Sequence, residues 1–325
     1  MLMQLIPARS RHYHVSQDAV EEFEAAILRD PRVQPAKTTL ITTLAHLSGD
    51  ALARLGMARP EILKAIARAA SGSEYSDVVA VMMGLDVTRC VPFFSPRARK
   101  TIYLFDAWPA QHDRILDFIE FWRVDHVFVS SSEAASRLGA RAKSGGVHWM
   151  PEGIDPGGYR VRPYHEKDLD VLQFGRKYDA YHERVCSSLA NAQRTYLYES
   201  ARGTIIFPTR AEFIDGLSRA RISVCFPSSL THPERAGDIE TMTVRYLQSI
   251  VSKCLVVGRA PPEMIELFGY NPVIEADMDD AAGQLHEVLD NFENYVPLIE
   301  RNYASVLVKH TWDARWREMA GVLFA

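Results

Sequence analysis

Short runs of apolar and β-branched residues recur along the chain, separated by stretches with the spacing of amphipathic helices. The runs are 38-TTLITTL-44, 78-VVAVMMG-84, 101-TIYLFD-106, 126-HVFVSS-131 and 147-VHWMP-151, followed by 170-DVLQFG-175, 195-TYLYE-199, 204-TIIFP-208, 222-ISVCFP-227, 254-CLVVG-258 and 273-VIEA-276. They are apolar throughout rather than alternating, as expected of strands covered by helices on both faces. Helices are predicted between them over 113–123, 132–142, 179–192, 210–220, 241–252 and 279–290, with a further pair at the C-terminus. This alternation predicts an α/β chain built on parallel sheets.

The alternation breaks once. The stretch 151-PEGIDPGGYRVRPYHEKD-168 is rich in Pro, Gly and charge, with about five predicted strands before it and about six after. Two Rossmann-like domains follow, 1–155 and 165–305, with 306–325 as a C-terminal helix. In such folds ligands sit at the carboxyl ends of the strands, so the two sheets are expected to face a central cleft. Trp312 and Trp316 stand four residues apart in the last helix, a spacing that reads as packing.

Composition changes this picture little. Of 325 residues 47% are hydrophobic and 24% charged, enough for two cores, and a net charge of −4 argues against a nucleic-acid coat protein. Cys90, Cys186, Cys225 and Cys254 form no CxxC pair, and Cys225 and Cys254 lie inside apolar runs, as small buried thiols do. No apolar run reaches the roughly 20 residues that span a bilayer. The N-terminus MLMQLIPARSRHYHV is too short and interrupted for a signal peptide. A cytoplasmic protein is expected, with peripheral contact at the inner face of a membrane left open. No metal-ligand cluster stands out; the adjacent Asp279 and Asp280 read as a helix start.

Candidate chemistry gathers in the second half. In 170-DVLQFGRKYD-179 an apolar strand runs into Gly175, Arg176 and Lys177 and then a helix. Glycine permits the tight turn, and the two cations at the strand's carboxyl end suit a diphosphate. A solvated basic turn would read the same. In 240-ETMTVRYLQSIVSKCLVVG-258 a helix starting near Glu240 would leave N–H groups of residues 241–244 free for an anion, with the hydroxyls of Thr241 and Thr243 beside them. Arg245 would point to phosphate or solvent, and Glu240 and Gln248 to sugar hydroxyls; a helix N-cap with a polar face also fits. The loop 228-SSLTHPERAGDIE-240, with His232, Glu234 and Arg235, is long enough to be a lid. In the first half, Asp106 ends a strand as a candidate general base, and Trp108 and His112 are candidate acceptor contacts, although His112 reads more simply as a surface helix residue. Asp106 also fits a helix N-cap.

The second half resembles the C-terminal domain of GT-B glycosyltransferases of the "glycosyl transferases group 1" type. In that family an acid, seven residues and a second acid precede a strand of the form x-P-V-V. Here Glu240, then TMTVRYL, then Gln248 lead to 254-CLVV-257, with Gln in the second position and threonines in place of the usual glycines. The Thr-x-Arg-Tyr-x-Gln arrangement is similar to a bacterial branch resembling spore maturation proteins. The turn 172-LQFGRKYD-179 resembles the family's diphosphate turn. The runs 102-IYLFDAWPAQHDRI-115, 126-HVFVSSSEAASRL-138, 147-VHWMPEGIDPGGY-159 and 213-FIDGLSRARISVCFPSS-229 follow the family's order. The resemblance covers roughly 100–320.

It implies a GT-B architecture whose last helix crosses back to the first domain. It also implies a metal-independent transferase that moves a sugar from a nucleoside-diphosphate-sugar donor to a hydroxyl of a carbohydrate or glycoconjugate. Asp106 and Glu240 would be catalytic, with Gly175, Arg176, Lys177, Thr241, Thr243, Arg245 and Gln248 at the donor. No cofactor beyond the donor substrate is implied, and a bacterial polysaccharide pathway is the implied setting. A sugar-nucleotide epimerase on the same fold, and a non-catalytic binding protein, are the alternatives.

Overall fold

The computed structural model describes residues 2–8, 17–37, 40, 42–44, 47–48, 51, 60–70, 76–175, 177–200 and 205–325. The chain forms two compact units, Met1–Pro151 with Trp316–Ala325, and Glu152–Arg315.

The first unit carries β1 (Met3–Ile6), β2 (Val33–Pro35), β3 (Asp77–Met83), β4 (Arg99–Phe105), β5 (His126–Val129) and β6 (Gly146–Trp149). They pair in parallel in the order β2-β1-β3-β4-β5-β6. Val78 to Val81 at the centre are wholly buried, which is why that segment reads as an unbroken apolar run. The second unit carries β7 (Leu169–Gln173), β8 (Tyr196–Tyr198), β9 (Ala220–Cys225), β10 (Leu255–Gly258) and β11 (Ile274–Glu275). These are also parallel, in the order β11-β10-β9-β7-β8. One face of this sheet packs on the helices Asp179–Asn191 and Ala281–Asp290, the other on Val244–Val251 and Pro262–Phe268. No helix among the described residues is long and apolar enough to cross a membrane.

Two of the expected strands, 38–44 and 204–208, are not strands among their described residues, and residue 204 lies outside those. Thr42–Leu44 are helical, the Leu40 and Leu44 spacing prevailing over the β-propensity of the threonines. The other residues of that run, 38, 39 and 41, lie outside the described residues. Residues 205–208 are irregular, because the capping box between Thr209 and Glu212 starts the next helix directly behind them. Conversely, β1 and β2 were not expected: β2 is three residues ending in proline, at the sheet edge where a missing N–H is tolerated.

The chain passes between the units at Pro151–Glu152 and again at Arg315–Trp316. Inside the second unit the segments adjoining these crossings lie side by side. Ile154 N–H donates to His310 O (3.1 Å), Trp312 N–H to Ile154 O (3.0 Å), and Arg315 Nε to Glu152 O (3.3 Å). Gly153 lies so close beneath buried Trp312 that a Cβ there would meet its ring at 2.9 Å. In the first unit, Trp316 Nε1 donates to Asp30 Oδ2 at 2.9 Å. The two tryptophans thus secure the last helix to different bodies.

Two buried bases hold the second unit together. Lys167 Nζ donates to Ser218 O, Ala220 O and Ser252 O at 3.0, 2.9 and 3.0 Å, tying the start of β9 to the end of the helix Val244–Val251. Burial pushes its pKa down. His310 stacks on Phe268 with centroids 4.5 Å apart and accepts from Arg315 Nη2 at Nδ1 (2.9 Å), which requires a neutral ring. Burial, and then the Arg315 charge, lower its pKa from the usual 6.5 to about 3. The unfolded imidazole therefore takes up a proton that the folded one refuses. This part of the stability is complete above pH 6.5 and is lost as pH falls from 6.5 toward about 3. His310→Asn is expected to reduce the slope of unfolding free energy against pH in that window by one proton, about 1.4 kcal/mol per pH unit. Urea titrations from pH 7 to 4 measure it, and an unchanged slope contradicts the assignment.

Candidate functional site

Within the second unit β7 lies between β8 and β9, so the connections after β7 and after β9 leave in opposite directions. Loops part at such a switch point, and ligands of open α/β sheets bind there. After β7 the chain turns at Gly175, in the left-handed region at φ 71°. After β9 it runs through Phe226 and Pro227 into a one-turn helix, Ser228–Thr231. Arg245, on the helix Val244–Val251, lies across this parting. A Cβ on Gly175 would stand 3.3 Å from both its Cδ and Nη1, and its Nη2 is 3.5 Å from Phe226 O. The guanidinium is half-buried and has no carboxylate partner among the described residues. Lys177, on the same turn as Gly175, has Nζ 3.6 Å from exposed Asp179 and 5.4 Å from the centre of the Tyr198 ring. Arg176 lies outside the described residues.

At the end of the neighbouring β10, Gly258 has φ 146°, and a Cβ would fall 1.9 Å from Cys225 O. Only glycine lets β9 and β10 keep this approach. Arg259, the next residue, forms a two-pronged ion pair with Glu240, Nε to Oε2 at 3.1 Å and Nη2 to Oε1 at 3.0 Å. Tyr246 Oη donates to Arg259 O at 2.7 Å and holds the turn. Sequence reasoning missed Arg259, although 256-VVGR-259 repeats the strand–Gly–Arg pattern of 173-QFGR-176.

The helix expected over 241–252 begins at Val244, so Glu240 to Thr243 are its extended lead-in. This corrects the expected row of free N–H groups. Glu263 Oε1 accepts from Thr241 Oγ1 (2.6 Å) and Met242 N–H (2.7 Å), and Glu152 Oε2 accepts from Val244 N–H (2.6 Å). Buried Thr241 therefore faces a carboxylate rather than solvent. Gln248 is buried too, donating to Tyr159 Oη at 3.1 Å. Thr243 precedes the helix without capping it, and its Oγ1, shielded from solvent, has no hydrogen-bond partner among the described residues; the same holds for Ser229 Oγ and Thr231 Oγ1. The expected loop 228–240 contains a second one-turn helix, Pro233–Ala236, anchored by buried Ala236 and Ile239. His232 sits between the two turns, and Glu234 and Arg235 are exposed.

In the first unit β1 lies between β2 and β3, which places the corresponding parting at β1 and β3. Buried Arg89 fills it: its guanidinium donates to Pro7 O (3.0 Å), Ile6 O, Val81 O and Glu24 Oε1 (2.6 Å). Glu24 also accepts from Ala8 N–H, and burial raises its pKa. Asp106 is at the end of β4, half-buried and with φ 53°, an uncommon backbone state for a residue with a side chain. It caps no helix. His112 was expected on the surface but is buried, and its Nε2 donates to Ala107 O at 3.0 Å, fixing the turn that carries Asp106. Burial lowers its pKa. Trp108 is 5% exposed and packs in the core, so it offers no open ring face for a sugar.

No protein-family model matches the chain, and no curated protein is significantly similar to it in sequence. Solved structures do match. The structure of HepE from Anabaena in complex with UDP and glucose aligns with a TM-score of 0.59 at 11% identity, over 99% of this chain and 98% of that one. AviGT4, a glycosyltransferase involved in avilamycin A biosynthesis, aligns with a TM-score of 0.55 at 13% identity, over 98% and 96%. A mutant of S. aureus TarM in complex with fondaparinux, α-GlcNAc-glycerol and UDP aligns with a TM-score of 0.53 at 8% identity, over 76% of this chain and 55% of that one. At these identities the likeness shows the fold, which is the GT-B type that the sequence resembles.

Gly175→Ala places a side chain in the left-handed region and against Arg245. It is expected to lower unfolding free energy by about 1–2 kcal/mol. Urea denaturation measures this, and a neutral result contradicts the assigned turn.

Proposed function

We propose that the chain is a glycosyltransferase that takes a nucleoside-diphosphate sugar as donor and a carbohydrate or glycoconjugate hydroxyl as acceptor. The observation that carries this reading is Arg245: a guanidinium at the switch point of the second sheet, without a carboxylate partner among the described residues. Desolvating such a charge is costly unless an anion joins it, and a diphosphate is an anion whose geometry a guanidinium matches. The fold is shared with HepE, solved with UDP and glucose.

In this reading Arg245, Lys177 and the Gly175 turn hold the donor diphosphate, with Arg176 assigned there by sequence alone. The hydroxyls of Thr243 and Ser229 supply further donors. Glycosyl transfer breaks the bond between the anomeric carbon and the diphosphate, so negative charge grows on the leaving oxygen. Fixed cations beside that oxygen stabilise the charge more in the transition state than in the ground state, with no metal required in the scheme. Glu240, oriented by Arg259, accepts hydrogen bonds from the donor sugar. Asp106 is the candidate base toward the acceptor hydroxyl. Synthesis of a bacterial surface polysaccharide is the setting that this chemistry fits.

A thermal-shift screen with UDP, GDP, ADP, CMP and dTDP, each with its common sugars, tests the reading. A ligand at a hundred times its Kd adds about 2.7 kcal/mol of stability. One nucleoside diphosphate is expected to stand out, and Arg245→Ala is expected to weaken it about 10- to 100-fold, the range of a lost charge-assisted contact. No shift with any of them contradicts the proposal. Product analysis separates the enzyme classes: a transferase releases the nucleotide, whereas an epimerase changes the sugar and leaves the nucleotide attached.

A further inference from the structure

The helix Val244–Val251 is preceded by Thr243, one of the better N-capping residues, yet no side-chain cap comes from it. The cap comes instead from Glu152, whose carboxylate accepts the Val244 N–H at 2.6 Å across 92 residues of sequence. Glu152 is buried, and it belongs to the segment by which the chain enters the second unit. Its carbonyl is held by Arg315 Nε (3.3 Å), and Ile154, two residues on, is bridged on both sides by the 310–312 backbone. The main chain at Glu152 is therefore secured, while its side chain reaches the first turn of the helix that carries Arg245 at its second position.

We propose that Glu152 is the positioning residue for the anion site: it caps the helix in place of Thr243, sets Arg245 across the switch point and leaves the Thr243 hydroxyl for a ligand. The physical case has three parts. A carboxylate at a helix N-terminus is favoured by the helix dipole and makes a short, charge-assisted bond to the first N–H. Arg245 is adjacent to Val244, fills the space where a Gly175 Cβ would stand and lies 3.5 Å from Phe226 O, so a small rotation of the first turn moves the guanidinium off the parting. The Thr243 hydroxyl is a standby cap. If Glu152 loses its acceptor, Thr243 can turn inward to bond the helix, which preserves the fold but withdraws its hydroxyl and lets the first turn shift. The proposal rests on the reading of Arg245 as the diphosphate ligand.

The test uses the full chain with inorganic pyrophosphate and the nucleoside diphosphates as probes, in wild type and in Glu152→Ala, Glu152→Gln, Arg245→Ala and Glu152→Ala/Arg245→Ala. Calorimetric Kd values, melting temperatures and amide exchange at Val244 are read together. Glutamine keeps an acceptor oxygen for Val244, so Glu152→Gln is expected within about threefold of wild type, whereas Glu152→Ala weakens the probe about tenfold. If Glu152 acts through Arg245, the alanine effect shrinks below about twofold in the Arg245→Ala background, because the two residues share one interaction. Val244 exchange is expected to quicken about tenfold or more in Glu152→Ala and not in Glu152→Gln.

Wild-type affinity in Glu152→Ala overturns the proposal. So does an equal loss in both backgrounds, the mark of general destabilisation, which a parallel fall in melting temperature would also show. Failure of wild type to bind any probe overturns the donor-site reading instead. Val244 exchange then still decides whether Glu152 is the cap, and unchanged exchange in Glu152→Ala removes that as well.

Discussion

A parallel sheet whose connections run both ways parts its loops at one place, and the polar groups around that parting must find partners. The two units meet this constraint in opposite ways. In the first, Arg89 donates to carbonyls of β1, β3 and the chain after β1, and Glu24 neutralises it. Among the described residues the guanidinium is satisfied from within. In the second, Arg245 lies across the parting with one long bond to Phe226 O and no carboxylate partner among the described residues. A buried ion pair makes the first parting a structural feature, and the uncompensated charge at the second is the basis of the proposed anion site.

The acidic residues around the second parting show how selectively that charge is left uncompensated. Glu263 takes the N–H of Met242, Glu152 takes that of Val244, and Glu240 takes Arg259. Glu263 and Glu152 bond N–H groups within three residues of Arg245, Glu240 stands five residues before it, and each is committed elsewhere by hydrogen bonds of 3.1 Å or less. Their bonds also stiffen the lead-in from Glu240 to Thr243, which lacks helical structure of its own. A site for a highly charged ligand gains from such rigidity, because little is left to order when the ligand arrives.

Much of this was legible in the chain, for local reasons. The central strands β3, β4, β9 and β10 read as unbroken apolar runs because both faces are covered, and the turn at Gly175 read as a turn because glycine follows such a run. The edges were less legible. β2 is three residues with a proline, and 38–44 carries strand propensity that its helical spacing overrides at Thr42–Leu44. His112 read as a surface residue because helix position alone does not say which side a neighbouring turn will cover.

The sequence by itself determined the central strands of both sheets, most of the helices between them and the glycine turns at the strand ends, because each is written in the spacing of residues close together in the chain. It also marked Lys177 as a charge at a strand end and Glu240 and Arg245 as charges at the start of a helix. Only the tertiary structure decided which of them are compensated. That Glu240 meets Arg259, that Thr241 faces Glu263, and that the first turn of the key helix is capped by a carboxylate 92 residues away are outcomes of packing. Pairing over such separations depends on how the sheet and its helices come together, and residue spacing carries no record of that.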